Sequence, residues 1–258
     1  MILGYNTNGF AFHRLEDAAR IIAELGYGAI GLTLDVHHLD PYGPDIEARA
    51  AAFAGTLSRL GLRCVVETGA RFLLDSRRKH QPTLLDPDPI ERARRADFLL
   101  RALAVAEALQ ADALSFWSGA APDSPGDAAL AERFLSAFAP VMEAAAVQRV
   151  PLALEPEPGM WIATTKQGME MIGRAGDANL GLTVDVGHVY CQREGDLPAV
   201  LRSTGDRLFN VHLDDSRRDA HDHLQFGEGE IDFPPAIAAL KEIGFGRCAC
   251  VELSRHAH

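Results

Sequence analysis

No stretch of this 258-residue sequence approaches 18 uninterrupted apolar residues, which excludes a membrane-spanning helix. The opening, MILGYNTNGFAFHR, lacks the basic segment followed by an apolar one that a secretory leader needs. Cysteine is scarce: Cys64, Cys191, Cys248 and Cys250 form no C-x-x-C pair and no disulfide-dense pattern. Cys248 and Cys250 alternate along one strand face, where buried free thiols are expected. A reducing cytoplasm is the expected compartment. Positive charge is short too, with 25 Lys and Arg against 36 Asp and Glu and a net charge of −11. Such a balance repels polyanions and argues against nucleic acid as a partner, while a small phosphorylated substrate needs only one or two local cations. Neither G-x-G-x-x-G nor G-x-x-x-x-G-K-[ST] follows a strand; Asn6-Thr7-Asn8-Gly9 follows the first one instead. Low-complexity stretches and obvious linkers are missing, so one domain over residues 1–258 is expected.

What is present is repetition of strand and helix. Apolar runs predict strands at Ile2–Tyr5, Ala29–Leu34, Leu62–Val66, Ala113–Trp117, Val150–Leu154, Leu180–Val184, Leu208–Val211 and Cys248–Val251. Between them lie segments with helical spacing, such as Leu15, Ala19, Ile22 and Leu25. Several end on a glycine ahead of the next strand: Leu25-Gly26, Leu60-Gly61, Ala175-Gly176 and Ile243-Gly244. Glycine there supplies the left-handed turn that ends a helix. Near-continuous apolar strands alternating with helices call for a helix-covered parallel sheet, and eight units favour closure into a (β/α)8 TIM barrel. The last strand ends near Glu252 and leaves too few residues for a complete eighth helix, so that helix is expected to be truncated or absent.

Four ionisable residues stand where predicted strands run out: Glu155 in VPLALEPEP, Asp185 in LTVDVGH, His212 in FNVHLDD and Glu252 in CVELS. A barrel converges the C-terminal ends of separate strands, so these four can pool into one site. Their oxygen-rich donor set suits Mn²⁺, Mg²⁺, Co²⁺ or Zn²⁺. Gly187 allows a tight turn after Asp185 and turns His188 toward the same pocket. His221 and His223 lie farther along and, joined by His188, form a candidate second metal site. The long segment from Glu67 to Pro89 holds Arg71, Arg77, Arg78, Lys79 and His80 beside Phe72, Leu73 and Leu74. A connection of that length reads as a solvated basic loop or as a lid over an anionic or polyhydroxy substrate.

The order E…D-x-x-H…H…G-x-G-x-[ID]…E at strand ends resembles the xylose-isomerase-like barrel superfamily, from Gly4 to Glu252. VDVGH, NVHLDD and GEGEIDF carry the resemblance; they specify the superfamily and choose poorly among its members. Its members include tagatose- and psicose-type epimerases, hydroxypyruvate isomerases, inosose and dehydroshikimate dehydratases, and apurinic endonucleases. The resemblance implies one divalent ion held by Glu155, Asp185, His212 and Glu252, with Glu155 and Glu252 doubling as an acid/base pair. It also implies that His188 and Arg218 contact substrate oxygens. Glu157 and Trp161 fall where the epimerases place further substrate contacts. The endonucleases bind an extra zinc at the positions of His188, His221 and His223, with an aspartate where this chain has His221. They also use histidines at earlier strand ends, where this chain has Glu67-Thr68-Gly69 and Trp117-Ser118-Gly119. Nuclease activity is therefore not expected.

The expected activity is metal-dependent isomerisation or epimerisation of a sugar-like polyol or keto substrate through an enediolate. Glu155 and Glu252 come from opposite parts of the barrel and could flank a bound ketose. A dehydratase would share the first half of that reaction. A phosphoester hydrolase and a non-catalytic metabolite-binding protein are the competing classes. Tyr5, Phe10, Phe72, Trp117 and Trp161 are candidates to shield the intermediate, with Trp117 the best placed to face a sugar. Arg77, Arg78, Lys79, Arg217 and Arg218 permit a phosphorylated substrate. Exposed barrel helices often pair, which leaves a homo-oligomer open.

Overall fold

Apolar strands of four to six residues can be buried on both faces only where helices cover the sheet and its edges are closed. A computed structural model, which describes residues 1–255, shows that solution. Eight parallel strands close a barrel: β1 (Ile2–Asn6), β2 (Ala29–Thr33), β3 (Arg63–Glu67), β4 (Leu114–Trp117), β5 (Leu152–Glu155), β6 (Leu180–Asp185), β7 (Leu208–Leu213) and β10 (Cys248–Val251). Strand β1 closes it by pairing with β10, Tyr5 opposite Val251, and with β2. The predicted strands all form, and β5, β6 and β7 run on to include Glu155, Asp185 and His212.

The connections are α1 (Leu15–Glu24), α2 (Ile46–Leu60), α3 (Pro89–Ala108), α4 (Asp127–Gln148), α5 (Thr165–Ala175), the pair α6 (Val186–Cys191) and α7 (Leu197–Thr204), and α8 (Phe233–Glu242). Among the described residues no helix is long and apolar enough to cross a membrane. Gly61 and Gly176 cap α2 and α5 in the left-handed conformation, with φ of 67° and 65°. Gly26 and Gly244 make the same turn one residue after the cap, at φ 89° and 67°. Outside β4, the Phe116 ring stacks on Phe138 of α4 at 4.5 Å, and Phe134 lies 5.4 Å from Phe138. After β10, Glu252 to Arg255 form no helix, and residues 256–258, the rest of the stretch where the last helix was expected to be truncated or absent, lie outside the described residues.

The two-residue period of a strand sorts the barrel interior into layers. At the entry end, Ala29, Val65, Ala113, Ala153, Phe209, Cys248 and Cys250 form an apolar cluster. Beneath it Asp112 accepts from Arg63 Nη2 at 2.5 Å and from Cys248 Sγ at 3.0 Å. The middle is polar, with Ser115 Oγ meeting Thr183 Oγ1 at 2.8 Å, while both amide atoms of Asn6 and Oδ1 of Asn210 are buried without a partner. Two residues on along β3, β4, β5, β6 and β7, and just beyond β10, stand Glu67, Trp117, Glu155, Asp185, His212 and Glu252.

Residues 215–224 form an antiparallel hairpin, β8 (Asp215–Arg217) and β9 (Ala220–Leu224), set over α6. His221 and His223 therefore lie on a strand, not in an irregular loop. Asp219 N donates to Cys191 O at 3.0 Å and ties the hairpin to the end of α6.

Candidate active site

His212, buried at the end of β7, has a carboxylate on each side of its ring. Nε2 donates to Glu67 Oε1 at 2.9 Å, and Asn210 Nδ2 donates to the same oxygen at 3.1 Å. Nδ1 lies 2.8 Å from Glu252 Oε2, 3.0 Å from Glu155 Oε1 and 3.9 Å from Asp185 Oδ2. The four residues read from strand ends are thus gathered, with one donor atom from each inside 4.8 Å. Asn8 Nδ2 holds the other oxygen of Glu252 at 2.7 Å.

Asp185 divides its carboxylate between two tasks. Oδ1 accepts from His188 N at 2.8 Å and caps α6, fixing the start of the helix that carries His188. Oδ2 is buried among the other ligands and has no hydrogen-bond partner. Gly187 is required by proximity, since a β-carbon there would lie 2.3 Å from Asp214 Oδ1. An unpartnered carboxylate oxygen, three further hard or imidazole donors and a surplus of buried negative charge all fit a divalent cation.

The electrostatics show the same surplus. Burial pushes Glu155 up to about 7 against the pull of His212. Burial, then the charges of Glu155 and Glu252, raises Glu157, and burial with Asp214 raises Asp185. Asp214 is pushed up to about 8 by burial and by Glu252. For Glu252, burial is outweighed by the closer His212, which holds its carboxyl well below the usual range. Burial also opposes charge on His212, but Glu252, Glu67 and Glu155 together raise it.

A second cluster adjoins the first. His188 Nε2 is 3.0 Å from His221 Nε2, which is 2.8 Å from His223 Nε2. His188 Nδ1 meets Pro156 O at 3.1 Å, and His223 Nδ1 lies 2.8 Å from Asp214 Oδ2, off the line of a good hydrogen bond. Burial pushes His188 down and takes His221 down to about 4, and the neighbouring imidazoles push both the same way. Glu157 reaches into this cluster, 3.8 Å from His188 Nε2 and 3.9 Å from His221 Nε2.

Both clusters border one cavity of about 750 Å³ at the C-terminal end of the barrel. Trp117, Glu155, Glu157, His212, His221, His223 and Glu252 line it. Arg218 does not: its guanidinium lies over the Tyr190 ring, and its backbone N–H approaches Glu230. Of the five aromatic candidates Trp117 alone lines the cavity. Tyr5 and Phe10 pack edge-to-face, Phe72 is exposed, and Trp161 donates to Asp127 against Phe134. Sequence reading missed Glu67 and Asn8 as partners of the ligands. Glu67 carried the same signal as the others, an acid ending an apolar run; Asn8 carried none.

A closed parallel barrel with an acid and imidazole nest at its strand ends has the layout of a barrel enzyme, with groups that could hold a metal ion. The chain belongs to the xylose isomerase-like TIM barrel family, whose model matches residues 19–257. Among curated relatives, an inosose isomerase of Bacillus subtilis is 30% identical over 114 residues, 41% of each chain. A mannonate dehydratase of Oceanobacillus iheyensis is 27% identical over 127 residues, 44% of this chain and 36% of the other. The matched stretches thus span about two fifths of the relatives' length. A crystal structure of D-allulose 3-epimerase from Methylomonas sp. superposes with a TM-score of 0.78 at 21% identity, covering 98% of this chain and 84% of that one. A structure of IolI protein with a zinc atom superposes at 0.79 and 18% identity, covering 100% and 91%. At these identities the superpositions establish the fold.

Proposed function

We propose that the protein is a divalent-metal-dependent isomerase or epimerase of a sugar-like polyol or keto substrate. The observation that carries this reading is the placing of Glu155 Oε1 and Glu252 Oε2 about one hydrogen-bond length from the same His212 Nδ1, on strands from different parts of one cavity wall. The similarity to an inosose isomerase and to a D-allulose 3-epimerase supports it. Glu155, Asp185, His212 and Glu252 would hold the ion. When bound, it supplies Lewis acidity that stabilises negative charge on a carbonyl oxygen and its neighbouring hydroxyl.

The chain's own groups supply the rest. One carboxylate, Glu155 or Glu252, removes the proton from carbon beside the carbonyl, and the other returns it from the opposite side. Return to the same carbon from the other face gives an epimer; return to the adjacent carbon gives an isomer. Asn8 keeps the Glu252 carboxylate aimed by holding its Oε1. Glu157, on the cavity wall, hydrogen-bonds a substrate hydroxyl, and the buried Trp117 ring excludes water from one side, whereas His188, buried behind His221 and absent from the cavity lining, acts on substrate only through its neighbours.

Proton accounting favours a second reading beside the first: a further ion at His188, His221 and His223. His188 Nδ1 faces Pro156 O, which can only accept and so leaves the His188 Nε2 as a bare acceptor, while His223 Nδ1 has no hydrogen-bond partner although Asp214 Oδ2 lies 2.8 Å away. With neutral rings, the one proton on His221 Nε2 can serve only one of its two contacts. The other sets lone pair against lone pair at hydrogen-bond distance, a conflict that a cation resolves.

The experiment is metal analysis after reconstitution with Mn²⁺ and Zn²⁺, in the wild type, Glu155→Ala and His223→Ala, with exchange of carbon-bound protons of candidate ketoses in deuterated solvent. One ion lost in Glu155→Ala but kept in His223→Ala, with exchange, supports the isomerase or epimerase. Two ions, one lost in His223→Ala, would move phosphoester hydrolysis forward. A bound sugar without exchange would leave a metabolite-binding protein. No ion at all would sink the reading.

A further inference from the structure

The cavity is chemically two-ended. Its floor is the acid and imidazole nest, whereas its rim carries Arg71 and Lys79 from the β3–α3 connection and Arg255 from the segment after β10. Three cations from two distant parts of a chain with net charge −11 have thus been brought to one opening. They oppose one another: Arg71 and Arg255 both disfavour the charge on Lys79, whose ammonium is pushed down first by burial. Like charges gathered at one opening, with no carboxylate within 4.0 Å of Arg71 or Lys79 and only Asp222 at 3.9 Å from Arg255, signal a site built for a ligand more than for stability.

Their partners make the same point. Arg71 Nη2 donates to Ser254 O at 3.1 Å, and Arg255 Nη2 donates to His221 O. These carbonyl contacts position the guanidinium groups without neutralising them. Arg255 has only Asp222, at 3.9 Å. Among the described residues no carboxylate lies within 4.0 Å of the Arg71 or Lys79 cation. By contrast Arg78 of the same connection is paired with Asp75 at 2.6 Å and does not line the cavity.

A fourth cation stands behind the wall. Arg95, 2% exposed, lays its guanidinium over the Trp117 ring at 4.2 Å, with Thr68 O at 3.5 Å as its only hydrogen-bond acceptor among the described residues. A buried charge without a carboxylate is costly, and here its field reaches the cavity through an aromatic wall that screens it less than water would. His80, whose ring is 5.0 Å from that of Trp117, lines the same side.

We propose that the substrate of this cavity is anionic, a sugar or polyol bearing a carboxylate or a phosphate, and that Arg71, Lys79 and Arg255 bind the anion while its keto end meets the floor. The inference rests on the proposed function in placing the keto end. The anion site itself rests on the rim alone. Arginine offers paired N–H donors and lysine a mobile point charge, the combination that suits either oxyanion.

The test is calorimetric titration of the Mn²⁺-loaded protein with D-fructose, D-fructose 6-phosphate, D-glucuronate and inorganic phosphate, repeated with Lys79→Ala and Arg71→Ala. At least one sugar anion is expected to bind on the order of tenfold or more tightly than D-fructose. Each variant should lose on the order of tenfold for that anion and leave D-fructose unchanged. Preference for the 6-phosphate with competition by inorganic phosphate marks a phosphate site; preference for glucuronate marks a carboxylate site. Both substituted side chains are exposed, and matching melting temperatures would confirm that the variants fold. Sugar anions that bind no more tightly than D-fructose, or not at all, would overturn the proposal, as would variants that weaken every ligand equally. Solvent-deuterium exchange is read separately. Anion selectivity without exchange keeps this site and removes the isomerase, and exchange without anion selectivity does the reverse.

Discussion

The carboxylate of Asp215 fills the space that a β-carbon on Gly229 would need, with Oδ1 only 2.2 Å from that position. The same carboxylate accepts four backbone N–H groups: Ser216 and Ile231 on Oδ1, Gly227 and Gly229 on Oδ2, at 2.8–3.1 Å. It therefore clamps the G-E-G turn onto the hairpin that bears His221 and His223. Gly229→Ala should destabilise by about 2–4 kcal/mol through overpacking and lost charge-assisted bonds. Asp215→Ala should release the turn, speeding amide exchange across residues 220–231. Unchanged melting in Gly229→Ala would show that the clamp relaxes at no cost.

Glu67 touches the proposed ion site only through His212. It fixes which ring nitrogen faces the other ligands, as a carboxylate behind a metal-bound histidine does. Glu67→Ala should weaken Mn²⁺ affinity by about 10–100-fold. Glu67→Gln, which keeps an acceptor oxygen and loses the charge, should fall between the two. Affinity is read by ion titration rather than turnover, and chelator-treated protein should melt alike in both variants. Equal affinity in wild type and Glu67→Ala would make the contact incidental.

Phe138 lies fully buried between Phe116 and Phe134. Removing its ring leaves a cavity that the barrel wall on one side and α4 on the other resist closing. Phe138→Ala should cost about 3–5 kcal/mol in chemical denaturation, without altering ion affinity. A loss below about 1 kcal/mol would mean that the layer repacks freely.

His80 is held neutral. Burial first, then Lys79, Arg95 and Arg71, push its pKa from 6.5 down to about 3. Between those values the unfolded chain binds a proton that the folded chain refuses, so His80 makes stability fall as pH drops below about 6.5. At φ 63° the residue occupies the left-handed region, which asparagine tolerates and which makes His80→Asn a fair replacement. The variant should lose less stability than wild type between pH 6.5 and pH 4.5, measured by denaturant melts. Parallel curves would show that His80 does not titrate on unfolding.

The barrel was legible because its signal is local and repeated. Each strand is an apolar run, and the glycines at 26, 61, 176 and 244 do mark helix ends. The gathering of Glu155, Asp185, His212 and Glu252 was legible for the same reason: barrel closure turns a position along the chain into a place in space. The β8–β9 hairpin was not, because DSR and AHDHL carry no apolar alternation and their pairing is secured by Asp215 and α6. Glu67 ends an apolar run as the other acids do, but its contacts with His212 and Asn210 cross the barrel and leave no mark on the local sequence. Arg218, six residues after His212, points elsewhere because the hairpin redirects the chain, and the meeting of Arg71 with Ser254 spans 183 residues that no sequence pattern links.

At the opposite end from the cavity, Asp112 binds Arg63 and Cys248 and so joins the starts of β3, β4 and β10. None of those contacts involves a residue of the acid and imidazole nest. Inheritance can therefore treat the two ends as separate ledgers. Exchanging rim cations or hairpin histidines changes the choice of substrate while the underside keeps the barrel shut.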